Sequence, residues 1–175
     1  MQVNPRRGIG TPILLVQPEK KDTSRLLHFS WKQQKTKKST RSFFFKLLKG
    51  GETEIVASYP AGKIGTTAEN LKAAAEGENL EWTTLYQNFA EVAKKEGFQD
   101  AFEAFSQIAK VEKAHEERYL RLLKNVTEGN VFKKKAPMKW HCRNCGYVFE
   151  GKDVPDKCPV CQHPKAFFEV LAENY

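Results

Sequence analysis

The chain has 175 residues and a formal net charge of +8, from 29 Lys and Arg against 21 Asp and Glu. No run of 18 or more apolar residues is present, which argues against a membrane-spanning helix. All 4 cysteines lie between positions 142 and 161 as two Cys-x-x-Cys pairs. This clustering favours a metal site in a reducing compartment over a disulfide framework.

The excess positive charge belongs to the first fifty residues. They carry 12 Lys and Arg against Glu19 and Asp22, giving +10, whereas residues 51–175 carry 17 against 19, giving −2. Residues 1–42 show no sustained helical or strand period, so we predict an irregular, disordered basic arm over residues 1–49. Its apolar stretch, Ile13 to Val16, is too short for a signal peptide, and we predict a cytoplasmic protein.

A helical hairpin is predicted over residues 66–128, after a Gly- and Pro-containing linker at 50–65. Thr66 and Glu69 form a capping-box pattern that starts the first helix, and Gly97 ends it. The second helix runs from about Gln99 to Asn125, and the tight turn between them predicts an antiparallel pair. The expected apolar stripes are Leu71, Ala74, Leu85, Phe89 and Val92 on the first helix and Phe102, Phe105, Ala109, Tyr119 and Leu122 on the second.

Four polar side chains interrupt these stripes: Glu78 and Glu81 on the first helix, Glu112 and His115 on the second. A single glutamate there could reach solvent, but several buried carboxylates cost several kcal/mol each without compensation. A metal ion supplies that compensation, and Glu facing Glu-x-x-His is half the ligand set of a ferritin-like di-iron bundle. We predict that these four residues are metal ligands and the catalytic centre. Tyr86 is either a hydrogen-bond partner behind them or a buried aromatic.

The cysteine module is predicted over residues 138–175, after a linker at 129–137. Cys142, Cys145, Cys158 and Cys161 bring four thiolates to one tetrahedral ion, and this spacing suits iron or zinc. The aromatic residues around them either shield a redox iron or form the core of a domain that needs metal to fold. The neighbouring carboxylate helices favour iron. The aromatic set is Trp140, Tyr147, Phe149, Phe167 and Phe168.

From about Phe44 to Tyr175 the chain resembles the rubrerythrin family, most clearly in four stretches: Tyr59–Leu71, Glu76–Trp82, Lys110–Tyr119 and Trp140–Tyr147. The resemblance implies a four-helix bundle with a non-haem di-iron site, followed by a rubredoxin-like domain. It implies a peroxidase in which electrons from a redox protein or reductase enter at the Fe–S₄ iron, pass to the di-iron site and reduce hydrogen peroxide to water. It also implies that the glutamate at the Glu81 position exchanges with a histidine as one iron moves.

Two departures from the family pattern are visible. Gln162 stands where rubredoxin-like knuckles usually have glycine, and a positive φ there would cost about 1 kcal/mol. Residues 1–43 lack the family's first helix pair, which supplies one Glu and a Glu-x-x-His. We therefore predict a mainly α chain, an antiparallel hairpin that is half of a ferritin-like bundle plus a rubredoxin-like knuckle. It would hold one Fe–S₄ centre, and a di-iron centre only if a second chain, in a homodimer, or a restored N-terminus completes it.

A shift of reading frame would account for the absence of the family's first helix pair. Codons compatible with Trp31–Thr40, read from the third base of the Trp codon, can encode E-T-A-E-N-E-K-E-H-A, which resembles the family's Glu-x-x-His helix. The frame returns at Phe43-Phe44-Phe45, whose codons form a run of T. We hypothesise that residues 1–42 are an out-of-frame translation of the family's first helix pair.

Two other functions fit parts of the sequence. One is a rubredoxin-like electron carrier with an incomplete di-iron site. The other is a zinc-knuckle protein whose basic arm binds nucleic acid. The arm offers only Phe29 and Trp31 for base stacking, and a frame origin explains its charge, so we predict no nucleic-acid or membrane partner.

Overall fold

The computed structural model describes residues 37–52, 54, 56 and 62–173. Residues 37–47 are helical (α1), and three further α-helices follow: α2 (Thr67–Leu80), α3 (Tyr86–Lys95) and α4 (Gln99–Thr127). A π-helical segment, Glu81–Leu85, joins α2 to α3 without a break. The mainly helical fold with a small cysteine module is confirmed. The part of the predicted arm at residues 1–36 lies outside the described residues.

The helical hairpin has the predicted ends. The Glu69 N–H donates to Thr66 Oγ1 and the Thr66 N–H donates to the Glu69 carboxylate at 2.7 Å, which completes the capping box. At the turn between α3 and α4, Gly97 adopts φ +80° and the Phe98 N–H donates to the Ala93 carbonyl at 2.8 Å. This is the Schellman arrangement, in which a left-handed residue reverses the chain. It directs α4 back along α2 and α3.

The π segment changes which residues of the first long helix face inward. The Tyr86 N–H donates to the Glu81 carbonyl, a bond that spans five residues instead of four. The extra residue rotates everything that follows by about 100°. The predicted stripe is therefore wrong at Leu85 and Val92, which are exposed, whereas Phe89 is 48% exposed and its ring still contacts Phe105 of α4. The inward residues are Leu71, Ala75, Glu78, Glu81, Tyr86, Ala90 and Ala93, of which Tyr86 is half-buried.

Helix α1 is a correction to the predicted irregular arm, which is wrong for residues 37–47. Phe44 is half-buried between the two long helices, with its ring centroid 4.8 Å from that of Phe105 and 6.4 Å from that of Tyr86. Phe89 contributes to the same aromatic cluster, 5.4 Å from Phe105. Aromatic pairs of this kind contribute about 0.5–1.5 kcal/mol each beyond the area they bury, and they pack α1 against the hairpin. The described bundle thus has a third helix, lying over the groove.

The C-terminal module is a three-stranded antiparallel sheet with strand order β2-β1-β3. The strands are β1 (Lys133–Cys142), β2 (Val148–Asp153) and β3 (Phe168–Val170), with a 3-10 turn at Lys165–Phe167. Strand β1 begins inside the predicted linker at 129–137, because Lys133 pairs with Asp153. The core of the module consists of Trp140, Cys142, Cys158 and Phe168. No helix in the described part of the chain is both long and apolar enough to cross a membrane.

Candidate metal centres

The four cysteines converge at the end of the sheet, as their spacing predicted. Cys142 ends β1, Cys145 follows it in a turn, and Cys158 and Cys161 lie in the loop after β2. The Sγ atoms of Cys142 and Cys161 are 3.7 Å apart, and those of Cys145 and Cys158 are 3.6 Å apart. All four Sγ atoms lie within 4.8 Å of one another. These separations are far too long for disulfides, whose S–S distance is about 2.05 Å.

The donor set fits a tetrahedral ion. A metal–sulfur distance of about 2.3 Å in a tetrahedron places sulfur atoms about 3.8 Å apart, close to the separations observed. A hydrogen bond from the His163 backbone N–H is the largest cause that lowers the pKa of Cys161, to about 6. The thiolate is the form that binds metal, and the spacing of the four sulfur atoms is the observation that supports binding here. The four cysteines therefore form a rubredoxin-like site.

Gln162, directly after the last cysteine, adopts φ +60°. The left-handed backbone, which the sequence raised only as a condition, is therefore present at this position. Its N–H donates to the Cys158 carbonyl at 2.9 Å, which closes the second knuckle. The conformation is thus imposed by the knuckle, and a residue with a Cβ bears the strain.

We expect Gln162→Gly to stabilise the metal-loaded module by about 1 kcal/mol, because glycine adopts this backbone conformation without strain. Gln162→Ala is the matched control, since it removes the same side chain but keeps the Cβ. Thermal unfolding followed by loss of the red absorption of the iron-loaded module measures both variants. Equal melting temperatures for the two variants would contradict a backbone origin.

The second cluster lies between the long helices. Glu78 and Glu112 are almost fully buried, at 2% and 1% exposure, and His115 is 5% exposed. His115 Nδ1 is 2.6 Å from Glu112 Oε2 and 4.0 Å from Glu78 Oε2. The ligand atoms of Glu78, Glu112 and His115 all lie within 4.8 Å of one another. The structure therefore brings together three of the four residues predicted on these helices as one candidate metal site.

The fourth residue, Glu81, joins the cluster through a lysine. Lys37 Nζ is 2.9 Å from Glu81 Oε2, 3.2 Å from Glu78 Oε2 and 3.4 Å from Glu112 Oε2. Lys37 was missed from the sequence, because a lysine in a basic stretch is normally solvated. The sequence did offer one indication of its position. Lys37 and Phe44 are seven residues apart, and this spacing places both on one face of a helix.

The environment of the cluster shifts the pKa values of its two most buried carboxyl groups in opposite directions. Burial is the largest cause that raises the pKa of Glu78, to about 8, against the opposing attraction of Lys37. Burial also acts on Glu112, but the hydrogen bond with His115 and the charge of Lys37 outweigh it and lower the pKa of Glu112. Although the two groups lie in one cluster, Glu78 is therefore the harder of the two to ionise.

Two further side chains fix the hairpin beside this cluster. Asn79 Nδ2 donates to Glu116 Oε1 at 2.9 Å, and Trp82 Nε1 donates to the other oxygen of Glu116. Glu116 follows His115 directly, so these bonds hold α4 and the π segment in register next to the ligand atoms.

Tyr86 lies in the aromatic cluster, and burial is the largest cause that raises its pKa.

Comparison with known proteins matches both halves of the chain. The rubrerythrin family model matches residues 35–123, and the model of the rubrerythrin rubredoxin-like domain matches residues 140–169. A rubrerythrin from Porphyromonas gingivalis is 57% identical over 132 residues, covering 75% of this chain and 66% of the relative. A rubrerythrin from Nitratidesulfovibrio vulgaris is 49% identical over 131 residues, covering 75% of this chain and 69% of the relative.

The chain thus spans about two thirds of the length of these curated relatives. Among solved structures, nigerythrin in a partially reduced state matches with a TM-score of 0.42 and 26% identity, covering 76% of this chain and 62% of that chain.

Proposed function

Because the chain belongs to the rubrerythrin family, we propose that this non-haem iron protein is an oxidoreductase that reduces hydrogen peroxide. The observation that carries the proposal is the presence, in one chain, of a four-thiolate site and a buried Glu–His cluster. The first suits one-electron transfer and the second suits binding of an oxygen ligand. The overall reaction takes one peroxide, two electrons and two protons to two waters.

The four cysteines are proposed to hold one iron that accepts electrons from a redox protein or reductase. Trp140 and Phe168 are fully buried against Cys142 and Cys158, which keeps water from the inner side of this site. Cys145 is exposed, so the opposite side is open to an electron donor. This arrangement supports electron entry at the Cys145 edge.

Glu78, Glu81, Glu112 and His115 are proposed to hold the iron at which peroxide reacts. Iron bound there would supply a redox centre for the reduction of peroxide. The chain's own contribution is a dry, prearranged donor set, with His115 held by Glu112 and the helices held by Glu116. The described residues offer half of the ligands that the family resemblance implies.

A second candidate function is a rubredoxin-like electron carrier whose helical cluster is structural. The position of Lys37 favours it, because an ammonium already neutralises the carboxylates without a metal. In that case the four-cysteine iron would exchange electrons, and peroxide would not be turned over.

The experiment combines iron stoichiometry with peroxide reactivity. The purified chain, loaded anaerobically with ferrous iron and then reduced, should contain more than one iron per chain. Hydrogen peroxide should rapidly restore the red absorption of the oxidised four-cysteine centre. Glu112→Gln should slow this reoxidation by about a hundredfold, because it removes a ligand charge. Glu117→Gln, on the exposed face of the same helix, should not.

A single iron per chain, confined to the cysteines, would reject the peroxidase and favour the electron carrier.

We also propose that the chain forms a homodimer, because the apolar side chains of Leu85, Phe89 and Val92 are exposed. Sedimentation of the same samples tests this proposal. Pairing of the two carboxylate faces, in contrast, would require α1 to leave the groove. The clustering of the four cysteines at metal-ligand spacing supports a reducing, cytoplasmic location.

A further inference from the structure

We propose that Lys37 is a tethered cation that occupies the carboxylate cluster in the metal-free chain and must withdraw before a divalent metal ion binds there. The inference rests on the proposed function in one respect, since it takes the cluster to be a metal site. It concerns a residue outside the predicted ligand set, on a helix that the sequence did not reveal.

The contacts of Lys37 are those of a counter-ion. Its ammonium lies within 3.4 Å of an oxygen from each of Glu78, Glu81 and Glu112. The Lys37 side chain is only 14% exposed. A buried ammonium is costly unless it is paired and hydrogen-bonded. These three carboxylates supply that pairing, so Lys37 and the cluster stabilise each other.

The same contacts make Lys37 a competitor of metal. The oxygen atoms that it contacts on Glu78 and Glu112 are the Oε2 atoms nearest to His115 Nδ1. A metal ion held by those oxygens would lie about 2.0–2.2 Å from each. The ammonium and the metal ion, which are both positively charged, would then lie in close contact. One cation must leave for the other to enter.

Withdrawal does not require α1 to unfold. The aromatic contacts that anchor α1 are made by Phe44, two helical turns away or about 10.5 Å along the axis. Lysine carries its charge on a flexible four-carbon stem, so rotation of the stem can release the ammonium to solvent. The helix can therefore stay packed while Lys37 moves out.

The test compares Lys37→Met with Lys38→Met, a neighbour on the same helix whose side chain is exposed. Each chain is first given one equivalent of Zn²⁺, which the four thiolates bind. Calorimetric titration with Co²⁺ then reports on the carboxylate cluster. Lys37→Met should bind Co²⁺ about ten- to hundredfold more tightly than the parent, because the three charge-assisted contacts of Lys37 no longer have to be broken. Lys38→Met should match the parent.

The melting temperature before Co²⁺ is added is the second measurement. It should fall by about 5 °C in Lys37→Met, since three carboxylates lose their counter-ion, and stay unchanged in Lys38→Met. If Lys37→Met does not fold, Lys37→Gln serves instead, because it keeps a hydrogen-bond donor without the charge.

Equal Co²⁺ affinity in the parent and Lys37→Met would overturn the competition, even if the peroxidase proposal stands. An unchanged melting temperature would overturn the counter-ion role. Absence of Co²⁺ binding in all variants would instead reject the metal site of the proposed function. In that case a loss of melting temperature confined to Lys37→Met would still support Lys37 as the cation of the cluster.

Discussion

Replacing Cys158 with serine is expected to abolish the iron of the C-terminal module and to unfold residues 133–170. Cys158 is fully buried and packs with Trp140 and Phe168, so its sulfur is both a ligand and part of the core. A bound ion in such a small domain contributes on the order of 10 kcal/mol of folding free energy. Few small domains have an unfolding free energy greater than that amount, so loss of the ion is expected to unfold the module. Loss of the red absorption, with a partial loss of near-UV circular dichroism as Trp140 loses its packing, would show the effect.

The matched control is Val160→Ser, in the same knuckle. Val160 is 65% exposed, and the change alters side-chain polarity without touching a ligand. It should keep the iron and the near-UV spectrum. The helical far-UV signal should persist in both variants, because the bundle has its own contacts. A Cys158→Ser chain that retains a folded module would contradict a metal-dependent core.

Replacing Phe44 with alanine is expected to release α1 from the groove and to cost about 2–3 kcal/mol of unfolding free energy. The Phe44 ring joins those of Tyr86 and Phe105, and these are the aromatic contacts that anchor α1 to the hairpin in the described part of the chain. Hydrogen exchange across residues 37–47 should accelerate, and urea denaturation should give the free-energy loss.

Phe45→Ala is a close control because it makes the same chemical change one position later. Phe45 is 73% exposed, so its loss should change stability by no more than about 0.5 kcal/mol. Hydrogen exchange in α1 should stay slow. If the two alanine variants exchanged at the same rate, the packing of α1 described above would be wrong.

The features that the sequence predicted best are those determined by neighbours in the chain. Thr66 and Glu69 are three residues apart, and their reciprocal hydrogen bonds follow from that spacing alone. The cysteine pairs likewise determine their knuckles, including the positive φ at Gln162. The stripe of α4 was predictable because the helix is regular, and Ala109, Glu112 and His115 are buried on it.

The features that escaped prediction depend on distant contacts. The inward face of α1 begins with Lys37, which is polar, so no apolar stripe marks it. Its burial is determined by carboxylates 41 to 75 residues later in the chain. Single-sequence periodicity assumes a constant turn, and the π segment violates that assumption at Glu81.

The position of Lys37 also bears on the reading-frame hypothesis. In the hypothesised original frame, the segment Trp31–Thr40 would resemble the family's Glu-x-x-His helix, which binds metal. In this chain the same segment supplies an ammonium to the carboxylates of Glu78, Glu81 and Glu112. If the hypothesis holds, a helix that would donate metal ligands has been replaced by one that donates a positive charge. In this chain the ammonium of Lys37 balances the buried carboxylates.

The π segment has a consequence for colloidal behaviour. Because one extra residue rotates α3, small alanines face the groove and the larger Leu85, Phe89 and Val92 are exposed at 39%, 48% and 50%. An exposed apolar stripe of this kind promotes self-association as concentration rises. The π segment that brings Glu81 inward therefore also leaves apolar surface on the outside of the hairpin.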